Sequence, residues 1–405
     1  MGFFRDWLRE RMAGRPGWMN ALLFFCAFMA FVYCPWDLLV KPVAVDEEVW
    51  LGIRFHGAWA KLLAIPHWVI YAGMTYGFWR MRSWMHPWAA VYWGQVAVGM
   101  LVWSLLYEEG TRSLLVGVAA FAAFGWLAHA LWQARPLFEA GRGNLRERYG
   151  EWAVVTGASA GIGAAFARAL AHEGVSCVLA ARREDRLKEL AAELERDHGV
   201  STRIVAVDLS EEDGAATLAD AVADLPVSIL VNNAGYGLAG RFSALDAERM
   251  RRMVVLNCAA PVVLTHRLLP GMLERGTGAV VVTGSVAGSQ PLPLHAVYGA
   301  TKAFDAHFAE SLWGELQGTG VDVVVLEPGS TESEFHDVAG ELPHAGRPAS
   351  EVVATALDAL GEQPAVVAGW YNWLRASVAR RLLPRSTQAL VARAVVEDRT
   401  REALR

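Results

Sequence analysis

The run Trp152-Ala153-Val154-Val155-Thr156-Gly157-Ala158-Ser159-Ala160-Gly161-Ile162-Gly163 decides how the larger part of the chain is read. A short β-prone segment leads straight into three spaced glycines, and an alanine-rich stretch follows. Glycines in that pattern let the backbone turn tightly, approach a diphosphate and pack helix on strand, while the helix N-terminus offers free N–H groups to the phosphates. Such a motif is informative only between a strand and a helix, which is where this one falls. Working outward, short β-branched runs near 153–156, 177–181, 203–207, 228–231, 278–283 and 321–326 alternate with amphipathic stretches at 161–174, 184–198 and 296–318. The alternation predicts an α/β domain over 148–370, a Rossmann-type doubly wound parallel sheet with right-handed crossovers.

The same turn also fits Gly-x-Ser-x-Gly, from Gly157 to Gly161 with Ser159 central, the nucleophile elbow of serine hydrolases. Against that reading, an elbow has no need of Gly163, and the turn follows the first strand rather than a later one. Eighteen residues past Gly163 the second strand ends in Ala181-Arg182-Arg183. An NAD site places a carboxylate there for the ribose 2′-hydroxyl. Two guanidiniums suit a 2′-phosphate instead, so NADP(H) is the expected coenzyme, with NAD(H) second. The plainer alternative is that both arginines open a solvated helix.

With these residues in place the chain resembles the classical short-chain dehydrogenase/reductase family from Trp152 to about Gly369. Thr156 to Gly163, including Ile162, is similar to the family's TGxxxGxG. Asp208, followed by Leu209, stands where the family has an aspartate beside the adenine ring. Asn232-Asn233-Ala234-Gly235 matches its NNAG segment, and Pro328-Gly329 with Thr331 its PG-x-T segment near the nicotinamide. Asn257, Ser285, Tyr298 and Lys302 match the catalytic tetrad in order and spacing. The resemblance implies that Tyr298 is the general acid or base, Ser285 binds the reacting oxygen, Lys302 holds the nicotinamide ribose and Asn257 positions a water. Tyr298 and Lys302 fall four apart in a helical stretch and so face the same way. The ammonium is expected to lower the phenol pKa from its reference near 10. His295, three before Tyr298, is expected at a pocket edge or the surface, and Cys258 as a small core residue.

The first 140 residues differ in kind. Thirteen of the 17 tryptophans precede residue 150, and apolar stretches at 18–40, 58–80, 87–107 and 112–133 each approach the ~20 residues that cross a bilayer. An all-α transmembrane domain of about four helices is therefore expected ahead of the sheet, a buried soluble bundle being the alternative. Lys61 is expected to snorkel to an interface, and Trp36, Trp59, Trp79, Trp84, Trp88, Tyr107 and Trp132 to form aromatic belts. Arg5, Arg9, Arg11 and Arg15 precede the first span without a small-x-small cleavage site, which favours an uncleaved helix. With Arg80, Arg82, Arg135, Arg142, Arg146 and Arg148 they outnumber Lys41, Arg54, Lys61 and Arg112 across the membrane. The positive-inside rule then puts both termini and the catalytic domain in the cytoplasm.

A net charge of −5 gives no sign of nucleic acid as a partner. Four cysteines without C-x-x-C spacing indicate neither a disulfide framework nor a metal site, and the scattered histidines of the first domain add none. The membrane domain points to a lipophilic carbonyl or alcohol substrate: acyl ketones, sterol-like ketones or retinoid-like aldehydes. The 330–350 segment, which the resemblance implies contacts substrate, is polar and lid-like. Residues 371–405 form a basic tail, expected either to lie on anionic lipid as an amphipathic helix or to pack over the pocket. Homo-oligomers are usual in the family, and nothing in the residues fixes one. A membrane-bound coenzyme sensor without turnover is the competing reading, opposed by the intact tetrad.

Overall fold

The computed structural model describes residues 12, 15–81, 85–107, 111–135, 138, 144–342, 345–369, 371–374, 376, 384–400 and 402–404. Arg5, Arg9, Arg11, Arg82, Trp84 and Arg142, used above for orientation and belts, lie outside them. The chain divides into two units, Met1–Arg142 and Gly143–Arg405.

The first unit holds four long helices: α1 (Gly17–Leu39), α2 (Gly57–Trp79), α3 (Met85–Leu106) and α4 (Thr111–Gln133). Within α1, residues Met29–Tyr33 make a π turn. α1, α3 and most of α4 are long and apolar enough to cross a membrane. α2 is long enough at 23 residues, but Lys61, Pro66 and His67 interrupt its apolar run. Lys61 and His67 are both paired. Lys61 lies 3.0 Å from the buried Asp46 carboxylate and also donates to the Asp37 carbonyl. Lys41 bridges Asp46 at 2.6 Å and Asp37 at 3.1 Å. His67 pairs with Glu48 and stacks on Trp50 at 4.0 Å between centroids. Glu48 and Trp50 belong to a short hairpin, Glu47–Trp50 with Ile53–His56, that period-based reading did not predict. Outward-facing residues are apolar: Phe31 is 73% exposed, Leu39 76% and Val69 65%. Water tolerates such a surface poorly, in keeping with α1, α3 and α4 as candidate membrane spans. Trp36, Trp59, Trp88, Trp132 and Tyr107 are exposed, as a belt requires, and Trp79 is half-buried.

The second unit is the expected doubly wound sheet. Seven parallel strands, β1 (Trp152–Thr156), β2 (Ser176–Ala181), β3 (Thr202–Ala206), β4 (Val227–Asn232), β5 (Gly278–Thr283), β6 (Val321–Glu327) and β7 (Ala365–Val367), run in the order β3-β2-β1-β4-β5-β6-β7. Side chains alternate between faces along β1. Ala153 and Val155 pack with Phe166 of α5 (Gly161–His172), Leu187 of α6 (Glu184–His198) and Val353 of α11 (Ala349–Ala359). Val154 points the other way, toward Leu218 of α7 (Gly214–Ala221), Leu264 of α8 (Ala247–Arg275) and Ala309 of α9 (Ala296–Glu315). α8 is as long and apolar as a membrane span, yet Met253, Leu264 and Met272 are buried within this unit. β7, only three residues long, was not foreseen. β3 stops at Ala206, so Asp208 stands two residues beyond the strand rather than closing it.

The active end of the sheet is set by β1 and β4, which pair side by side through Val154 and Leu230. Phe166 anchors α5 beneath that end and is fully buried. Phe166→Ala is expected to cost the catalytic unit about 3–5 kcal/mol, read as a lowered denaturation midpoint; a change under about 1 kcal/mol would contradict this packing.

Candidate active site

The glycine turn works as its sequence requires. Gly157 and Gly161 have φ of +69° and +54°, in the left-handed region. A Cβ on Gly163 would collide with the Gly157 carbonyl oxygen, a rigid backbone atom. Thr156 at the end of β1 stitches this turn to the NNAG segment after β4. Its hydroxyl donates to the Val231 carbonyl at 3.1 Å and accepts from the N–H groups of Asn233 and Ala234 at 2.9 and 3.0 Å. Asn233 returns a bond from Nδ2 to the Thr156 carbonyl at 3.0 Å. α5 begins at Gly161, so its free N–H groups open onto the turn.

Beside the turn lies the cationic end. Arg183 donates through Nε and Nη2 to the Ser159 hydroxyl at 3.2 and 3.0 Å and through Nη1 to Glu334 at 2.6 Å. Arg186 grips the other oxygen of Glu334 at 2.5 Å. Hydrogen bonds from Arg186 and Arg183 hold the Glu334 carboxyl below its usual range. Arg182 approaches Asp208 at 3.9 Å, and Arg252 bonds it at 2.9 Å. Burial pushes the Asp208 carboxyl up, but the Ser210 hydroxyl and N–H together with Arg182 and Arg252 more than offset it, leaving it below the ordinary value. Arg186, Arg252 and Glu334 were not singled out from sequence; they come together only through the fold. Ser159 answers the hydrolase reading, since its hydroxyl is met by a guanidinium rather than by a histidine.

The tetrad stands at the other end. Tyr298 and Lys302 lie one turn apart on α9, both buried. Lys302 Nζ donates to the Thr283 carbonyl at 2.7 Å and to Asp305 at 2.9 Å. Burial pushes the Tyr298 phenol up, while the Lys302 ammonium and a hydrogen bond with Ser285 pull it down; the result lies above the ordinary value. Lys302 thus acts in the expected direction and burial outweighs it. The Ser285 hydroxyl accepts from the Ala287 N–H at 3.1 Å. Asn257 sits in a π turn, Val255–Ala259, inside α8. Its side chain is engaged with protein: Nδ2 donates to the Tyr236 carbonyl at 3.1 Å and to the Thr301 hydroxyl at 3.0 Å, and Oδ1 accepts from the Tyr236 N–H at 3.2 Å. The amide therefore braces the loop after β4.

A cavity of about 890 Å³ joins the two ends. Gly157, Ser159, Gly161, Ile162, Arg182, Arg183, Asp208, Leu209, Asn233, Ala234, Gly235, Ser285, Tyr298, Lys302, Pro328, Gly329 and Thr331 all line it, whereas Gly163 and Asn257 stand behind the lining. The segment after β6 forms a short helix, α10 (Phe335–Ala339), whose Phe335 ring lies 5.3 Å from that of Tyr298. His295 is buried, 3% exposed, with Nε2 3.3 Å from Glu341, and it lines the cavity instead of lying at the surface. Burial pushes its imidazole pKa down, against Glu341. The tail helix α12 (Arg385–Arg399) adds Val391, Ala392, Val395 and Val396 to the wall. Of the two expectations for the tail, packing over the pocket is the one this geometry contains.

The doubly wound sheet, the glycine turn at its first strand and the cavity beside it define a dinucleotide-binding fold of the dehydrogenase type. Comparison with known proteins agrees. The model of the short chain dehydrogenase family matches residues 151–341. A very-long-chain 3-oxoacyl-CoA reductase of Anas platyrhynchos is 31% identical over 268 residues, 63% of this chain and 85% of that one. Another, of Pyricularia oryzae, is 37% identical over 216 residues, 52% of this chain and 65% of that one. Some relatives, this second one among them, are thus spanned over less than two thirds of their length. The crystallised short-chain dehydrogenase from Sphingobium yanoikuyae in complex with NADPH superimposes with a TM-score of 0.53 at 31% identity, covering 62% of this chain and 97% of that one. The chain belongs to the short-chain dehydrogenase/reductase family.

Gly163→Ala is expected to weaken NADPH binding at least tenfold, about 1.4 kcal/mol, in a fluorescence titration of the full-length protein. Unchanged affinity would mean that the helix start can retreat from Gly157 without disturbing the cradle.

Proposed function

We propose that the protein is an NADP(H)-dependent oxidoreductase that interconverts a carbonyl and an alcohol on a lipophilic substrate, with reduction the working direction. The observation that carries this reading is one cavity whose lining combines Arg182 and Arg183, the trio Ser285, Tyr298 and Lys302, and the apolar Leu374, Val391, Val395 and Val396. The residues fit the coenzyme: at Gly157, Gly161 and Gly163 an added Cβ would press on neighbouring protein atoms, so the backbone there stays bare, and the guanidiniums of Arg183 and Arg182 stand beside Ser159 and Asp208. The NADPH complex of the Sphingobium relative supports the same choice.

The bound coenzyme supplies the hydride. The rest is the work of this chain. The Ser285 hydroxyl donates to the substrate oxygen as negative charge grows there, and the Tyr298 hydroxyl delivers the proton that completes the alcohol. Lys302 keeps a positive charge beside the phenol as that proton leaves. Asn257 holds the Tyr236 backbone and thereby the wall opposite Tyr298. An apolar wall beyond the reacting centre suits a long hydrocarbon chain. Among lipophilic ketones, a fatty 3-oxoacyl thioester is the class this reading favours, in keeping with the names of the relatives from Anas and Pyricularia. The first unit would hold the enzyme at the bilayer where such chains reside, with both termini and the catalytic unit on the cytoplasmic side; Arg15, Arg80, Arg135, Arg146 and Arg148 among the described cations support that orientation. Nothing at the site favours a sensor that binds without turnover.

The test is coenzyme oxidation by the detergent-solubilised protein with 3-oxoacyl thioesters of increasing length. NADPH turnover is expected to exceed NADH turnover, and Tyr298→Phe is expected to lower kcat by roughly 10²–10⁴-fold with NADPH binding kept. Turnover that survives the substitution would refute the assignment of the acid.

The raised phenol pKa sets a pH dependence. A protonated Tyr298 is present below its pKa and lost above it, so reduction should hold through neutral pH and fall in the alkaline range. Alcohol oxidation, which needs the phenolate, should rise across that range. Initial-rate profiles in both directions check this; a reduction rate climbing with pH would contradict it.

A further inference from the structure

Behind the tyrosine and lysine, on the same helix, lies a third ionisable side chain with no role so far. Asp305 is 1% exposed. Its Oδ2 is 2.9 Å from Lys302 Nζ, and its Oδ1 is buried without a hydrogen-bond partner. Burying a carboxylate with one oxygen bare is unfavourable unless a countercharge compensates it. At a spacing of three residues the helix brings Asp305 onto the face of Lys302. The ammonium has three donors, and the Thr283 carbonyl and Asp305 engage two of them.

We propose that Asp305 is a positioning residue for the reaction: with Thr283 it fixes the Lys302 ammonium, and it offsets that charge, so that an ion pair rather than a bare cation lies beneath Tyr298. The consequence is directional. A bare ammonium would favour the phenolate and hence alcohol oxidation; a compensated one keeps the phenol protonated, ready to donate to a carbonyl. The surroundings agree. Burial acts first to keep the Tyr298 proton on, Lys302 and Ser285 oppose it, and Glu341 and Asp305 reinforce it. Around the pair stand Cys258 from α8, Ser285 after β5, His295 at the start of α9 and Glu341 after α10. Of these neighbours Asp305 is the one in direct contact with the ammonium.

The inference rests on the tetrad reading above and is tested without a substrate. Ultraviolet difference titration of tyrosinate, comparing each protein with its Tyr298→Phe counterpart in the presence of NADP⁺, isolates the Tyr298 phenol. Asp305→Asn keeps the shape and removes the charge. Its Tyr298 is expected to titrate about one unit lower than in the wild type, a tenfold change in proton affinity, and Asp305→Glu to stay near the wild-type value. Coenzyme binding reports folding; should the asparagine variant fail it, Asp305→Ser carries the same expectation. A Tyr298 titration that stays in place or moves up on removal of the charge overturns the proposal, even where turnover falls, because a merely structural role predicts loss without a shift. Failure of the tetrad reading would show separately, as turnover persisting in Tyr298→Phe.

Discussion

Where β1 gives way to α5, the helix comes so close to the strand that a single methyl group at residue 163 would strike the Gly157 carbonyl. That approach puts the N-terminal N–H groups of α5 over the end of β1. It also brings the Thr156 hydroxyl within reach of the Asn233 and Ala234 amides, tying β1 to β4 at the one edge where both strands end. Everything that handles a ligand hangs from this junction. The arginines that flank Ser159 leave the neighbouring strand β2, and the loop braced by Asn257 leaves β4. The strands below supply affinity for nothing; they hold these ends in register. Parallel strands buried on both faces make that support rigid, since Val154, Val178 and Val280 are each fully enclosed.

A second constraint is electrostatic. The site buries a tyrosine, a lysine, an aspartate and a histidine within one region. Each has a partner whose charge or hydrogen bond makes burial tolerable: Asp305 for Lys302, Lys302 and Ser285 for Tyr298, Glu341 for His295. The first unit follows the same rule by different means. Lys41, Lys61, Asp37 and Asp46 form one neutralised cluster at the start of α2, and His67 leans on Glu48. Among the described residues, the buried aspartates, lysine and histidine of both units are each paired with an opposite charge.

How far the sequence could be read follows from the range of the interactions involved. The glycine turn, the Tyr298–Lys302 spacing and the alternation of strands were legible because each depends on residues a few positions apart, whereas Asn257 and Ser285 were named only through the family resemblance. β7 was not, because three residues carry no periodicity and are strands only by pairing with β6. Glu334, Arg186 and Arg252 were invisible for a related reason: their partners are distant in sequence, 151 and 148 positions for the two arginine contacts of Glu334. Asp305 sat three residues from a recognised lysine and could have been noticed, but its burial, which gives it meaning, is tertiary. The partners of Lys61 and His67 were not foreseen, because a hydropathy pattern does not reveal the Asp46 and Glu48 that receive them. α8 is the reverse case: its composition matches that of a membrane helix, and only its packing against the sheet tells it apart.

The grip of Arg183 and Arg186 on Glu334 joins two parts of the cavity that chemistry would treat separately. Glu334 immediately precedes Phe335, whose ring rests against Tyr298, so the segment facing the substrate is fastened to the very guanidinium that suits a 2′-phosphate. Phosphate and carboxylate are rivals for one fork of N–H donors. A 2′-phosphate drawn to Arg183 would thus meet Glu334 as a competitor, while Arg186 keeps its own hold on the other carboxylate oxygen. NADH, which lacks the 2′-phosphate, would bring no such competitor, so the carboxylate beside Phe335 meets the feature that distinguishes the two coenzymes.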